Sequence, residues 1–275
     1  MIVSIGSITI ELVFAREFEK TSSLLKTHLQ SYIQPLQCSA SFKIHIAPSK
    51  NRSVGRYNRK SHSFYAARNY WVIIQTVLRY TISWEKNWAI LQFFGDEEQL
   101  FFSTLDMLKL IIACKVIKNG GLPLHCSAIE RNSSAVIFFG PSGIGKTTIA
   151  GLLTPNWRIL NDEFNILSPG PMNTWIVWST PFTKLEHISM CTNTNGQVKA
   201  LFSLRQHTCN EIAGIALQQT IFKLFACVYT IPTTDELGTA MLDTLYRLAQ
   251  SDIIQQLSFV NNDNINADLE TFIDH

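Results

Sequence analysis

The pattern of hydrophobic and polar positions differs between two parts of the chain. In the first part, residues 1–14 and 39–46 alternate apolar and polar side chains, which predicts strands. Residues 17–33 repeat apolar side chains at helical spacing, and short aromatic and β-branched runs from Phe64 to Phe94 predict further strands. We therefore predict a smaller, mainly β domain with one helix over residues 1–96.

Strand-like and helix-like segments alternate more regularly in the second part, residues 97–275. Helices are predicted at 102–118, 146–153, 209–229 and 234–250, and strands at 125–129, 135–139, 158–160, 164–167, 175–178, 200–204 and 253–260. Such alternation is typical of an α/β fold.

Composition narrows the function classes. The chain is 46% apolar and 16% charged, which is globular, and its net charge of +2 argues against a general nucleic-acid binder. It lacks an uncharged apolar stretch of about 18 residues and a basic N-terminal signal, so we expect no membrane span and a cytoplasmic location. The six cysteines form no CxxC pair, which favours free thiols in a reducing compartment.

One polar, basic stretch runs from Pro48 to Ser63 and is predicted to be an exposed loop. It carries five positive charges, at Lys50, Arg52, Arg56, Arg59 and Lys60. A solvated turn and a contact surface for an acidic acceptor are both compatible with this pattern.

The strongest motif is Gly140-Pro141-Ser142-Gly143-Ile144-Gly145-Lys146-Thr147, which fits GxxxxGK[ST]. Glycines allow successive backbone N–H groups to turn toward phosphate oxygens, Lys146 is expected to reach the β- and γ-phosphates, and Thr147 to bind Mg²⁺. A buried strand precedes the motif and a helix follows it, as phosphate-binding loops require. The predicted nucleotide contacts are Gly140, Pro141, Ser142, Gly143, Ile144, Gly145, Lys146, Thr147 and Thr148.

Two further features lie close to this motif in the chain. Asp162 and Glu163 follow a short apolar strand fifteen residues beyond Thr147, where a carboxylate can hold the metal or accept a proton. An acidic turn in water is the alternative. His125 begins a strand before the motif, and is either a structural histidine or a neighbour of the phosphates.

In this order, the motifs resemble the catalytic domain of HPr kinase/phosphorylase and its shorter relatives in lasso-peptide and other modified-peptide clusters. The resemblance rests on GGLPLHCSAI at 120–129, GPSGIGKTT at 140–148 and LNDE at 160–163, with looser matches at 179–182 and 200–206. It implies an HPr-kinase-like (PEP-carboxykinase-like) P-loop core. Thr147 stands in place of the usual serine, and Glu163 in place of an aspartate.

The resemblance also implies roles for individual residues. Asp162 corresponds to the general base on the acceptor hydroxyl, Glu163 to a metal-binding carboxylate, and His125 to a histidine near the phosphates. Lys146 corresponds to the phosphate-binding lysine.

These patterns together predict a Mg²⁺-dependent kinase that transfers the γ-phosphate of ATP to a hydroxyl, such as a serine of a peptide or small protein. A non-catalytic nucleotide-binding switch and a simple ATPase remain alternatives with the same loop. The sequence does not distinguish ATP from GTP, and it leaves room for a homo-oligomer.

Overall fold

The computed structural model of the protein describes residues 1–35, 37–49, 63–67, 69–75, 78–93, 96–153, 156–183, 192–229, 231–232, 234–260 and 269. The five basic positions between Lys50 and Lys60 lie outside these residues. The structure is mixed α/β, with two sheets and few helices in its described part. It forms two compact units, Met1–Ile112 with Pro232–Thr234, and Ala113–Ile231 with Asp235–His275.

The first unit is built on a mixed sheet with strand order β3-β1-β2-β4-β8-β7-β6-β5. Its strands are β1 (Ile2–Ile5), β2 (Ile8–Phe14), β3 (Ile33–Gln34), β4 (Phe42–Pro48), β5 (Ser63–Ala67), β6 (Tyr70–Gln75), β7 (Leu78–Ser83) and β8 (Trp88–Phe93). The β2–β4 and β4–β8 pairs are parallel, and the other pairs are antiparallel. Helix α1 is Glu19–His28. Helix α2 is Glu97–Lys118, of which residues 97–112 are assigned to the first unit and residues 113–118 to the second.

Alternation along the strands gives this sheet a buried face. In β4, Phe42, Ile44 and Ile46 are buried while the residues between them are exposed. The rings of Trp71 and Trp84 meet edge to face with their centroids 5.0 Å apart, an arrangement that aromatic pairs favour.

Two predictions for the first unit were wrong in detail. Residues 1–14 form the hairpin β1–β2 rather than one strand, because Gly6 takes a left-handed conformation with φ of 59° and reverses the chain. The helix predicted at 17–33 ends at His28, because Ile33 and Gln34 pair with β1 as strand β3.

The second unit contains the glycine-rich motif. Its strands are β9 (Leu122–Leu124), β10 (Ser127–Arg131), β11 (Ser134–Phe139), β12 (Arg158–Asn161), β13 (Asn165–Pro169), β14 (Trp175–Trp178), β15 (Asn195–Gln206), β16 (Glu211–Gly214) and β17 (Ile254–Phe259). Its helices are α3 (Lys146–Leu152), α4 (Leu217–Phe225) and α5 (Asp235–Ala249). The strand order is β12-β10-β11-β15-β14-β13-β9, with β17 beside β15 and β16 beside β17.

A tight hairpin joins β10 to β11. Asn132 and Ser133 have φ values of 53° and 65°, as a two-residue turn of the primed type requires. Glu130 stabilises this turn, because one of its carboxylate oxygens accepts from the Ser133 N–H at 2.6 Å and the other from Arg158 Nη2 at 2.6 Å. The Ser133 carbonyl accepts from the Gln197 N–H at 2.7 Å, which ties the turn to β15.

The core of the second unit lies between its central strands and α3. Phe138 of β11 and Phe202 of β15 stack with centroids 6.1 Å apart, and both are fully buried. Ile149 of α3 and Leu257 of β17 are fully buried in the same cluster. Burial of a side chain of this size contributes about 1.5–3 kcal/mol, so the strand on which the glycine-rich motif begins is firmly fixed.

Two predictions for the second unit were also wrong in detail. The strand predicted at 125–129 begins only at Ser127. His125 and Cys126 lie between two strands with different partners, because β9 pairs with β13 whereas β10 pairs with β11 and β12. The helix predicted at 209–229 is only α4, since Glu211–Gly214 pairs with β17 as strand β16.

Among the described helices, none combines the length and the apolar composition needed to cross a bilayer.

The described cysteines are free thiols in two environments. Cys38 and Cys209 are exposed, whereas Cys114, Cys126 and Cys227 are buried. Burial raises the pKa of the Cys114 and Cys126 thiols to about 12 and also raises the pKa of Cys227. The buried thiols therefore stay protonated at moderately alkaline pH.

We predict that iodoacetamide at pH 8 modifies Cys38 and Cys209 in the folded protein and spares the three buried cysteines, with peptide mass spectrometry as the readout. Because the Cys126 pKa lies at about 12 rather than at its ordinary 9.0, the unfolded chain releases this proton first. The free energy of unfolding should therefore fall as pH rises above 9.0. Rapid native modification of Cys126 would contradict the prediction.

Candidate functional site

Strand register in the second unit brings the sequence-predicted site residues to one edge of the sheet. Ser127 at the start of β10 pairs with Phe138 near the end of β11, and Ala128 pairs with Asn161 at the end of β12. His125, the loop that begins at Gly140 and the acidic pair after Asn161 therefore all emerge at this edge. Since neighbouring strands lie about 4.8 Å apart, the ends of β11 and β12 are separated by about 10 Å.

The segment from Gly140 to Thr147, here called the glycine loop, connects β11 directly to α3. Three glycines in it have left-handed φ values, 148° at Gly140, 78° at Gly143 and 109° at Gly145. A side chain at Gly145 would also be excluded by contact, because its Cβ would lie 2.8 Å from Cζ of Phe259. Both the backbone angle and the neighbouring ring therefore require glycine at this position.

Lys146 is the buried cation of the glycine loop. Its Nζ donates to the carbonyl oxygen of Gly140 at 3.0 Å and to that of Pro141 at 3.2 Å. Only 7% of the residue is exposed, so the ammonium is held inside the curve of the loop. The hydroxyl-bearing residues that follow it, Thr147 and Thr148, are exposed.

The acidic pair lies on a turn that is built around Asn161. The buried Asn161 side chain accepts through Oδ1 from the N–H groups of Glu163 at 2.7 Å and Phe164 at 3.0 Å. Its Nδ2 donates to the Thr180 carbonyl at 2.8 Å. The Asn161 side chain thereby replaces backbone partners in the turn and fixes the conformation of the chain at Asp162 and Glu163.

Asp162 and Glu163 are half-buried and have different neighbours. The Thr183 hydroxyl donates to Asp162 Oδ1 at 3.0 Å. Glu163 Oε2 lies 3.5 Å from Nδ1 of His125, whose side chain is 46% exposed. The structure thus brings His125 and Glu163 together, whereas Lys146 contacts carbonyl groups of its own loop.

A second buried asparagine connects the acidic turn to the break between β9 and β10. Asn165 Nδ2 donates to the Cys126 carbonyl at 2.9 Å and to the Asn161 carbonyl at 3.1 Å. The backbone N–H of His125 donates to the Cys227 carbonyl at 2.7 Å. These bonds hold the chain on both sides of His125 and place its ring beside the acidic turn.

Metal binding at this edge would depend on the ligand as well as the protein. In the described part of the chain, no group of three or more His, Cys, Asp or Glu side chains is arranged to hold a metal ion. Proteins usually bind Mg²⁺ through one or two side chains together with substrate phosphates and water. Thr147 and Glu163 are the predicted protein ligands.

Sequence reasoning missed the residues that support the site. Asn161 carried a detectable signal, since asparagine directly after a strand and before a turn commonly caps that turn with its own side chain. Thr180 lies in the loose family match at 179–182, but its contact with Asn161 was not predicted. Thr183 and Asn165 carried no signal, because their roles depend on contacts between segments that are distant in the chain.

We predict that Asn161→Ala lowers the free energy of unfolding by about 1–3 kcal/mol, since the buried N–H of Phe164 and the half-buried N–H of Glu163 would lose their acceptor. Asn195→Ala, at the exposed start of β15, is the matched control and should change stability by less than about 0.5 kcal/mol. Urea denaturation monitored by tryptophan fluorescence measures both. Equal stability of the Asn161 variant and the parent would contradict the proposed role of this side chain.

No curated protein matches the chain. Among solved structures, the HPr(Ser) kinase/phosphatase from Coxiella burnetii is similar over 55% of this chain and 93% of its own, with 12% identity and a TM-score of 0.30. The family model described as SynChlorMet cassette protein ScmC matches residues 91–230, which include the glycine loop, His125 and the acidic pair. Because this match covers more than half of the sequence, the chain belongs to the ScmC family of SynChlorMet cassette proteins.

Proposed function

We propose that this protein is a Mg²⁺-dependent kinase that transfers the γ-phosphate of ATP to a hydroxyl, in particular a serine hydroxyl of a peptide or small protein. The observation that carries the proposal is the convergence of the glycine loop, the acidic turn and His125 at one edge of the sheet. In this proposal the second unit has an HPr-kinase-like P-loop core.

The glycine loop would hold the phosphates. Its left-handed glycines allow backbone N–H groups to point at one anion, and Lys146 adds a positive charge. Lys146 now donates to two carbonyl groups of the loop. Phosphate oxygens are stronger acceptors than neutral carbonyls, so they would compete for its protons when a triphosphate binds.

The acidic turn would serve the acceptor. Thr183 orients the Asp162 carboxylate by a hydrogen bond to Oδ1, and the separation of about 10 Å between the ends of β11 and β12 leaves space for a γ-phosphate and a hydroxyl. Asp162 takes the proton of the acceptor hydroxyl while the hydroxyl oxygen bonds to the γ-phosphorus. At the same time the bond between the γ-phosphorus and the bridging β-phosphate oxygen breaks, and ADP leaves. Mg²⁺, held by Thr147 and Glu163, would supply positive charge to the phosphates when bound.

Glu163 and His125 would have supporting roles. A histidine 3.5 Å from the Glu163 carboxylate limits the positions which that carboxylate can take. His125 can also donate a hydrogen bond from its ring to a phosphate at the same edge.

The acceptor is proposed to be a product of a neighbouring gene. The family is described as one of cassette proteins, so the genes that accompany this one are the first place to search for a short precursor peptide. Recognition of that peptide by the basic stretch from Lys50 to Lys60 stays a prediction from the sequence.

We predict that Lys146→Ala weakens ATP binding by at least about 2 kcal/mol, or roughly 30-fold, since a charged donor to phosphate is lost. Lys199→Ala removes an exposed lysine of β15 and should bind ATP like the parent. Calorimetry in the presence of Mg²⁺ measures the affinities, and thermal melting checks that both variants are folded. Unchanged affinity in a folded Lys146 variant would exclude this role.

Replacing Asp162 distinguishes a kinase from a nucleotide-binding switch. Asp162→Asn keeps the shape and removes the proton acceptor, so transfer should slow by a factor of about 10²–10⁴. ATP affinity should be retained or rise slightly, because a negative charge near the γ-phosphate is removed. Mass spectrometry of a serine peptide from the neighbouring genes measures transfer.

The matched control is Asp243→Asn on the exposed side of α5, which should leave transfer at the parental rate. Parental transfer in the Asp162 variant would move the base to Glu163 or His125. Binding of ATP by the parent without transfer to any such peptide would favour the switch, and ATP turnover that no peptide accelerates would favour a simple ATPase.

A further inference from the structure

A cavity of about 330 Å³ lies beside the glycine loop, on the side of β15 and β17. Gly143, Gly145 and Thr148 form its wall on the side of the loop, and the rest is lined by Gln206, His207, Phe259 and Val260. Its volume falls at the lower end of the range of about 300–1,000 Å³ that is typical of small-molecule sites. The function proposed above uses the acidic side of the loop and leaves this cavity without a role.

Strand direction explains why the cavity lies there. Strand β15 is parallel to both β11 and β17, and Gln206 at its end pairs with Phe259 at the end of β17. The carboxyl ends of three parallel strands therefore meet beside the loop. In open α/β sheets, ligands bind in crevices at the carboxyl ends of parallel strands.

The apolar wall of the cavity is fixed in position. Phe259 is 3% exposed, and its ring lies so close to Gly145 that no Cβ fits between them. Because so little of its surface is open, Phe259 offers a ligand a small apolar contact rather than an open ring face. An apolar lining with a few polar groups beside it is typical of sites for small organic groups, for instance a nucleobase.

The lining of the cavity also includes exposed polar groups that can form hydrogen bonds with the edge of such a ring. Gln206 has both an amide donor and a carbonyl acceptor, and its Nε2 lies 3.4 Å from the Ile144 carbonyl of the glycine loop. Nδ1 of His207 lies 3.2 Å from Sγ and 3.4 Å from the backbone N of Cys209. Neither contact uses Nε2, which is the other polar atom of the ring.

We propose that this cavity binds the nucleoside of the triphosphate whose phosphates the glycine loop holds. The inference rests on the proposed function, since it places the two parts of one ligand on adjacent surfaces. Thr148 lies at the junction, because it lines the cavity and directly follows the glycine loop. A nucleoside in the cavity would leave the γ-phosphate free to extend toward β12 and the acidic turn.

The test compares ATP and GTP with inorganic tripolyphosphate, which has the phosphates and no nucleoside. Calorimetry with Mg²⁺ is performed on the parent, on the double variant Gln206→Ala/His207→Ala, and on Gln219→Ala, a control at an exposed glutamine of α4. Both residues of the double variant are exposed, so folding should be preserved, and thermal melting verifies this.

We expect the parent to bind ATP or GTP at least about tenfold more tightly than tripolyphosphate, as about two added hydrogen bonds would produce. The double variant should lose this preference while its affinity for tripolyphosphate stays unchanged, and the Gln219 variant should match the parent.

Three other outcomes would contradict the nucleoside site, and one of them would also contradict the proposed function. Equal binding of tripolyphosphate and both nucleotides by the parent would overturn the nucleoside site and leave the glycine loop as a phosphate site. An equal loss for all ligands in the double variant would also overturn it, since Gln206 would then act through the loop. Binding of no ligand by the parent would overturn the proposed function, and this inference with it.

Discussion

The register of the β10–β11 hairpin is the constraint on which the candidate site depends. A shift of one residue in strand pairing turns every side chain to the opposite face, so Phe138 would lose its stacking partner Phe202 and the start of the glycine loop would move along the sheet. The register is set by a two-residue turn with left-handed residues at Asn132 and Ser133. Neither is glycine, and such conformations cost free energy. The bonds from Glu130 to the Ser133 N–H and to Arg158 offset this cost at the far end of the sheet.

Buried polar side chains complete the arrangement at the opposite edge. Asn161 and Asn165 are each 1% exposed, and together they connect the end of β12 to Thr180, Cys126 and the turn that carries the acidic pair. Buried amides are stabilising only when they are hydrogen-bonded, and their bonds have strict geometry. They therefore specify one position for Asp162 and Glu163, which apolar side chains could not do because apolar contacts have no direction.

The sequence predicted those parts of the fold in which local pattern and tertiary structure agree. Helix α2, strand β11 and helix α3 were confirmed, because α2 and β11 are rich in apolar residues, most of which are buried in the core, and α3 directly follows the glycine loop. One error, at residues 1–14, was a missed local turn at Gly6. The others lie where long-range pairing overrides local pattern, as at Glu211–Gly214, whose partner β17 is about 45 residues away in the chain. The same holds for the site. The glycine loop could be predicted because it is one contiguous motif, whereas the cavity could not, because it is lined by residues from three separate segments.

The position of the glycine loop within the sheet relates the two proposed binding surfaces to each other. The loop begins at the end of β11, which lies between two groups of strands. Strands β10 and β12 are on one side, toward His125 and the acidic pair, and strands β15 and β17 are on the other, toward the cavity. Under the two proposals, a triphosphate would lie along this edge with its nucleoside near Phe259 and its γ-phosphate near Asp162. Gly145 would then be required for two reasons. Its left-handed φ shapes the loop, and its lack of a side chain leaves space for the Phe259 ring. Substitution of this glycine should therefore disturb both surfaces together, whereas Asp162 and His207 each belong to only one of them.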